Sequence, residues 1–257
     1  MYQPLAYIHP DAKIAHNVVI EPFVTIHKDV EIDEGSWIGP HVTIMEGTRI
    51  GKHVRVFPGA VIGAIPQDMK FHGEASFVEI GNHTTIREYV TINRGTEHRR
   101  TTRIGHQVLL MAYVHIAHDC ILGDHAILSN AVNLAGHVTI GEWGIIGGGS
   151  LVHQFVAIGP HSFISGGSLV RKDVPPFTKA AREPLGYAGI NSVGLRRRGY
   201  SNETINHIQE IYRYVYLRGY NRTDSLAMIE AELPASEEKD SIIQFIQEST
   251  RGIMKGL

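Results

Sequence analysis

Three short segments hold residues able to move protons: Val114-His115-Ile116-Ala117-His118-Asp119, Leu134-Ala135-Gly136-His137 and Val152-His153-Gln154. In the first, an imidazole is followed at once by a carboxylate. A histidine titrates close to neutral pH, and a neighbouring carboxylate can fix its tautomer and stabilise the imidazolium formed when it takes a proton. His118 with Asp119 is therefore a candidate general base. The chain has 16 histidines, and those at turns, such as His16, His41, His53, His83 and His125, read singly as solvated surface. The stretch from His115 to Gln154 differs because it combines an acid partner, a glycine amide and polar neighbours. His115-x-x-His118 also has the spacing of zinc ligands, but there is no His-Glu-x-x-His, and Asp119 can orient His118 without an ion; no metal is expected. Covalent catalysis has little to stand on. There is no Gly-x-Ser-x-Gly elbow and no phosphate-binding Gly-x-x-x-x-Gly-Lys-[Ser/Thr] loop, and the lone cysteine, Cys120, falls where a side chain should face a core.

These residues must be positioned by a repeat. From Ile8 an aliphatic residue recurs every six positions: Ile14, Ile20, Ile26, Ile32, Ile38, Ile44, Ile50, Val56 and Ile62. The register returns at Ile80, Ile86 and Ile92, resumes at Ile104, and runs through Leu110, Ile116, Leu122, Leu128 and Leu134 to Val170. Four positions after each aliphatic comes a small or β-branched residue, as in Val18, Val24, Val114, Cys120 and Ala126. A period of six is neither helical nor alternating, but a short strand plus a tight turn satisfies it. Three units close a triangular coil of about 18 residues in which equivalent aliphatics stack inward. That stacking sets His118 near Gly136 and places His118, Gly136-His137 and His153-Gln154 along one edge. The pattern breaks near 64–77, where carboxylates stand at 68 and 74, and near 95–102, where histidine stands at 98. Both stretches are expected to leave the prism as loops, where function collects.

Composition removes several classes. The 257 residues carry 24 Lys+Arg against 26 Asp+Glu, a formal charge of −2, without the basic excess of a nucleic-acid binder. No run approaches the ~18 apolar residues of a membrane span, and the N-terminus lacks the charged-then-apolar layout of a signal peptide, so a soluble, cytoplasmic chain is expected. After Asp173-Val174-Pro175-Pro176 the hexads stop. Helical spacing predicts a helix over Ser201 to Leu217, a second capped by Thr223 through Leu233, and a third capped by Ser236 and ending near Gly252. The expected organisation is a β-solenoid over 1–185 and a helical domain over 186–257.

The hexads resemble the hexapeptide-repeat, left-handed parallel β-helix proteins, and the handedness comes from that resemblance. Val114-His115-Ile116-Ala117-His118-Asp119-Cys120, Leu134-Ala135-Gly136-His137, Val152-His153-Gln154-Phe155 and Gln67-Asp68-x-Lys70 together look like the UDP-N-acetylglucosamine O-acyltransferases. Asp173-Val174-Pro175-Pro176, Gly194-Leu195-Arg196-Arg197-Arg198-Gly199-Tyr200 and Ser249-Thr250-Arg251-Gly252 match too, so the likeness spans nearly the whole chain. It implies transfer of a 3-hydroxyacyl chain from acyl carrier protein to the glucosamine 3-hydroxyl of UDP-N-acetylglucosamine, the first acylation of lipid A synthesis, with no metal or other cofactor. It also implies a homotrimer with sites between subunits.

Residue by residue, the resemblance implies His118 as general base held by Asp119, with the Gly136 N–H donating to the oxyanion. Asp68, Lys70, His115 and His137 would position sugar and pyrophosphate, with Gln67, His153 and Gln154 lining the nucleotide and acyl cleft. Asn191, Arg197 and Arg198 would meet the nucleotide end. Gly166 would occupy the position that limits acyl length and, lacking a side chain, would admit a long chain. Pro184 and Val193 depart from the family pattern, where a histidine and a glutamate contact the nucleotide side. A sugar hydroxyl is a weak nucleophile that needs base assistance, whereas a thioester is already activated, in keeping with the missing nucleophile. A basic patch of Arg171, Lys172, Lys179, Arg182 and Arg196 to Arg198 would steer an acidic carrier. The competing readings are an N-acyltransferase of the same pathway, for which repeats beginning at Ile8 leave no preceding uridine-binding domain, a metal-dependent β-helix enzyme, and a non-catalytic β-helix.

Overall fold

The computed structural model describes residues 5–256. Consecutive two-residue strands such as His115–Ile116, Ile121–Leu122 and Ile127–Leu128 go to three different sheets in turn. Among the described residues the sheets hold nine, eight and eleven strands. Within each sheet a strand pairs in parallel with the strand one coil away, Ile116 with Leu134 and Leu122 with Ile140. The coil is the left-handed parallel β-helix that the resemblance implies. The hexad aliphatics and the small residues four places on, including Val114, Ile116, Cys120, Ala126 and Val132, are buried in one continuous core. Each lost methylene there costs roughly 1 kcal/mol, which explains why the register tolerates so little variation.

Each edge of the prism needs a left-handed residue, and these residues form columns. Asp119, His137 and Phe155 occupy one column with φ of 61°, 65° and 64°; His125, Trp143 and His161 occupy the next at 58° each. A positive φ is costly for residues with side chains. Stacking along each column offsets that cost: the rings of His137 and Phe155 lie 4.3 Å apart and those of His125 and Trp143 3.9 Å apart.

The three outer faces differ. One carries Lys13, Glu31, Arg49, Glu79 and Arg103 in register, opposite charges on successive coils. Ion pairs of 2.9 Å join Lys13 to Glu31 and Arg103 to Glu79. Another presents Leu109, Ile127, Ile145 and Phe163. The third bears His115, Asn133 and Leu151. Between Ala64 and Phe77, and again between Asn93 and Thr101, the chain leaves the coil.

The end of the solenoid differs in part from the sequence expectation. Residues 186–190, grouped by pattern with the helical domain, form the strand Gly186–Ile190, antiparallel to Thr178–Ala181. The latter strand still pairs in parallel with Phe163–Ile164, so the hairpin finds open ladder groups and extends the sheet. Four helices follow among the described residues: α1 (Ser192–Arg197), α2 (Asn202–Tyr216), α3 (Arg222–Glu232) and α4 (Glu237–Glu248). Ser236 caps α4 as expected, and Ser201, where the first helix was expected to begin, is the cap of α2. The cap of α3 is Asn221, whose side chain accepts the Asp224 N–H; Thr223 lies inside the helix. The short α1 carries no apolar period that would have marked it. Buried Ile208, Ile211, Tyr212, Ile229 and Ile242 join the helices into a second core. The Tyr212 hydroxyl donates to the Pro176 carbonyl at 2.5 Å and ties that core to the prism. No helix among the described residues is long and apolar enough to cross a membrane.

Candidate active site

His118 and Asp119 follow the strand His115–Ile116 at one edge of the prism. Asp119 takes the left-handed turn position, which a short polar side chain tolerates, and its carboxylate is fully buried. Four donors surround it. Oδ1 accepts the backbone N–H groups of Thr96 at 3.1 Å and Arg99 at 3.2 Å. Oδ2 accepts the Thr96 hydroxyl at 2.6 Å and pairs with His118 Nδ1 at 2.8 Å. Burial opposes ionisation, but the hydrogen bonds from His118 and Thr96 outweigh it and pull the carboxyl down to about 2. An ionised carboxylate only accepts, so Nδ1 of His118 carries a proton, and Nε2 is the ring nitrogen turned away from Asp119.

One coil on, Gly136 lies under the ring. A Cβ there would come within 2.7 Å of His118 Nε2 and 2.6 Å of Cε1. Its neighbours donate along the coil, Ala135 to Val152 and His137 to His118, whereas the Gly136 N–H has no acceptor among the described residues. Asp68, on the first loop, puts a carboxylate oxygen 4.0 Å from His118 Nε2. Asp68 also accepts the Lys70 N–H at 3.0 Å, and the Lys70 residue is exposed. Gln67 is exposed on the same loop. His137 stands edge-on to His118 and stacks on Phe155; burial first, then the nearby cationic and imidazole groups, push it down against the pull of Asp119. His115 pairs with the Thr91 hydroxyl at 2.8 Å, and burial pushes it down as well. His153 and Gln154 lie exposed one coil further, His153 Nδ1 3.1 Å from the Gln154 carbonyl oxygen.

The other site residues expected from sequence lie elsewhere on the single chain. Asn191 caps α1 and donates from its side chain to the His161 carbonyl at 2.9 Å, on a different edge. Arg198 lies over Trp143 at 5.0 Å and donates to its carbonyl. Arg197 borders a neighbouring cleft of about 280 Å³ with Asn191 and the exposed Val193. Gly166 sits at the third edge, where a Cβ would meet the Gly148 carbonyl oxygen at 3.1 Å. Pro184 borders a separate cleft of about 610 Å³ with Leu169 and Arg171. One chain thus divides these residues among three edges, and His118 lines none of these clefts.

His118, Asp119 and His137 offer ligand atoms within 4.8 Å of one another. Both Asp119 oxygens already accept two donors, so an ion would have to displace hydrogen bonds that are in place. Cys120 is buried and its thiol is pushed up to about 12, mainly by desolvation, which removes it as a nucleophile. Sequence reading did not find Thr96, Arg99 or Thr102, whose hydroxyl accepts the Asp119 N–H at 2.8 Å. Only the break in the hexads near position 98 hinted at them.

Fold and site together define a hexapeptide-repeat transferase: the family described as bacterial transferase hexapeptide (six repeats) matches residues 29–64 and 101–134. The family described as Udp N-acetylglucosamine O-acyltransferase, domain 2, matches residues 173–254. An acyl-[acyl-carrier-protein]--UDP-N-acetylglucosamine O-acyltransferase of Sulfurihydrogenibium sp. is 50% identical over 251 residues, 97% of this chain and 93% of the relative. The crystal structure of LpxA, a UDP-N-acetylglucosamine acyltransferase from Bacteroides fragilis, superposes with a TM-score of 0.98 at 49% identity, covering 99% of this chain and 100% of that one. The Arabidopsis UDP-N-acetylglucosamine acyltransferase matches at a TM-score of 0.85 and 32% identity, covering 99% of this chain and 100% of that one. The chain belongs to the acyl-[acyl-carrier-protein]--UDP-N-acetylglucosamine O-acyltransferase family.

Proposed function

We propose that this enzyme transfers a 3-hydroxyacyl chain from the thioester of acyl carrier protein to the glucosamine 3-hydroxyl of UDP-N-acetylglucosamine, with His118 as general base. The observation that carries the reading is the His118 ring, its Nδ1 held 2.8 Å from the Asp119 carboxylate and its face lying over Gly136. Nε2 takes the hydroxyl proton as the sugar oxygen attacks the thioester carbonyl, and the new C–O bond leaves an oxyanion facing the free Gly136 N–H. Collapse breaks the C–S bond, and the leaving thiolate recovers the proton from Nε2. Asp119 stays ionised throughout and stabilises the imidazolium. Because the thioester is already activated, no covalent enzyme intermediate is required.

Asp68, Lys70, His115 and His137 would hold sugar and pyrophosphate, with Gln67, His153 and Gln154 beside them. Asn191, Arg197 and Arg198 would hold the nucleotide end from a neighbouring protomer, and Gly166 would leave the acyl groove deep. The division of these residues among three edges supports a homotrimer with each site shared between subunits, since no single chain gathers them. The half-buried Leu109, Ile127, Ile145 and Phe163 face offers apolar surface for such packing. The reaction belongs to lipid A synthesis and, with a carrier-protein donor and one free thiol, to the cytoplasm.

The test is a transfer assay with purified chain, labelled UDP-N-acetylglucosamine and hydroxyacyl carrier proteins of graded length. His118→Ala should stay folded and lose about 100- to 10,000-fold in kcat, the usual contribution of a positioned base. Activity within a few-fold of wild type would reject the base assignment, and no transfer by the wild type to any acceptor would reject the reaction.

A further inference from the structure

The second loop leaves the coil at Asn93 and returns at Thr101, yet it carries none of the site residues expected from the sequence. Its backbone folds over the buried side of Asp119 instead. Two of its N–H groups and the Thr96 hydroxyl supply three of the four hydrogen bonds that the Asp119 carboxylate accepts. Arg99 reaches further and donates from its guanidinium to the Asp119 carbonyl at 2.9 Å. Glu97 donates its N–H to Glu74 on the first loop at 3.0 Å, so the two loops brace each other.

We propose that Thr96 is a positioning residue for the acyl transfer: its hydroxyl fixes the Asp119 oxygen that orients His118. This rests on the general-base reading of His118. The direction of each bond follows from donor bookkeeping. The Thr96 oxygen accepts the His98 N–H at 3.4 Å, which leaves its own proton for Asp119 Oδ2, the oxygen that also receives the His118 Nδ1 proton. With two donors on Oδ2 and two on Oδ1, the carboxylate cannot rotate without losing bonds in a fully buried place. The Asp119 N–H is tied to Thr102 at the same time, so backbone and side chain are both pinned. Removing the hydroxyl leaves Oδ2 bound by His118 alone. The ring is then free to pivot about Nδ1, and Nε2 drifts from the line between the sugar hydroxyl and Gly136.

The experiment compares Thr96→Val, Thr96→Ser and His118→Ala with wild type in the steady-state transfer assay, with thermal melting and the His118 Nδ1 proton resonance recorded on each folded sample. Thr96→Val should lose about 10- to 100-fold in kcat, the scale of one hydrogen bond to a buried charge. Its KM for UDP-N-acetylglucosamine should stay within about twofold, because no substrate contact has been removed. Thr96→Ser, which keeps the hydroxyl, should restore activity to within about threefold. The Nδ1 proton should lose its downfield position in Thr96→Val and keep it in Thr96→Ser. If Thr96→Val does not fold, Thr96→Ala is read in its place. An inactive His118→Ala beside a Thr96→Val of wild-type kcat would overturn the positioning role alone. Equal losses in Val and Ser with a raised KM would reduce Thr96 to loop structure and overturn it too. An active His118→Ala would overturn the base assignment itself.

Discussion

Gly136 supports the ring of His118 so closely that no side chain fits between them: a Cβ at 136 would lie 2.6 Å from Cε1. Gly136→Ala must therefore displace the imidazole or the turn beneath it. Because the glycine lies at an edge and not in the core, the coil should survive. We expect a loss of at least about 100-fold in kcat, comparable to losing one oxyanion donor, with cooperative thermal unfolding retained. Wild-type turnover in Gly136→Ala would show that the ring does not work from this position.

Asp119→Asn should be inactive for a reason of tautomer. An amide in that place can donate to Nδ1, which moves the ring proton to Nε2 and removes the lone pair that takes the substrate proton. kcat should fall by about 100-fold or more.

Acid titration reads the same group in another way. The folded carboxyl lies at about 2 against an ordinary 3.8. A group with a depressed folded pKa stabilises fully above its unfolded value, and that stabilisation is lost as pH falls through the folded one. A difference of roughly two units corresponds to about 2 kcal/mol. The wild type should be more stable than Asp119→Asn above pH 4, and the gap should shrink between pH 4 and pH 2. A gap that stays constant over that interval would mean Asp119 is not ionised in the way its hydrogen bonds require.

Residues on separate edges should complement one another. His118→Ala and Arg198→Ala, each inactive as pure protein, should regain activity when mixed by co-expression. Random assembly of a cyclic trimer whose sites pair the two edges from neighbouring subunits gives about one intact site in four. Recovery near that fraction supports the shared site, and no recovery from mixed trimers argues for sites built within one chain.

Gly166→Met tests the acyl groove. A Cβ at 166 already meets the Gly148 carbonyl oxygen at 3.1 Å, so a longer side chain must turn away from it and would shorten an acyl groove running past this edge. The preferred donor should shift from long hydroxyacyl chains to shorter ones, read as relative kcat/KM across the graded carrier proteins. An unchanged profile would remove Gly166 from any part in measuring the chain.

The parts of this molecule that were legible in the sequence are the parts governed by local periodicity. Ile116 and Leu134 had to stack because the repeat allows no other register, and Ser236 announced itself as the cap of α4. The nearness of His118 to Gly136 followed from the same arithmetic. The cradle around Asp119 did not. Thr96 reaches it across 23 positions from a segment that has no period, and nothing local distinguishes this threonine from others in the chain. The cap of α3 was misplaced by two positions because Asn221 and Thr223 are both competent caps, and only the path of the chain chooses between them. The strand at 186–190 was missed for a related reason: its partner is a sheet edge, which no short window of sequence displays.

The face that alternates Lys13, Glu31, Arg49, Glu79 and Arg103 has a bearing on traffic around the molecule. Its rungs are about 5 Å apart, and opposite signs at that spacing cancel well inside the screening distance of roughly 8 Å at physiological salt. An anionic visitor drifting past that wall is neither drawn in nor turned away. The charged side chains of this wall thus spend much of their field on one another, as the 2.9 Å pairs of Lys13 with Glu31 and of Arg103 with Glu79 show.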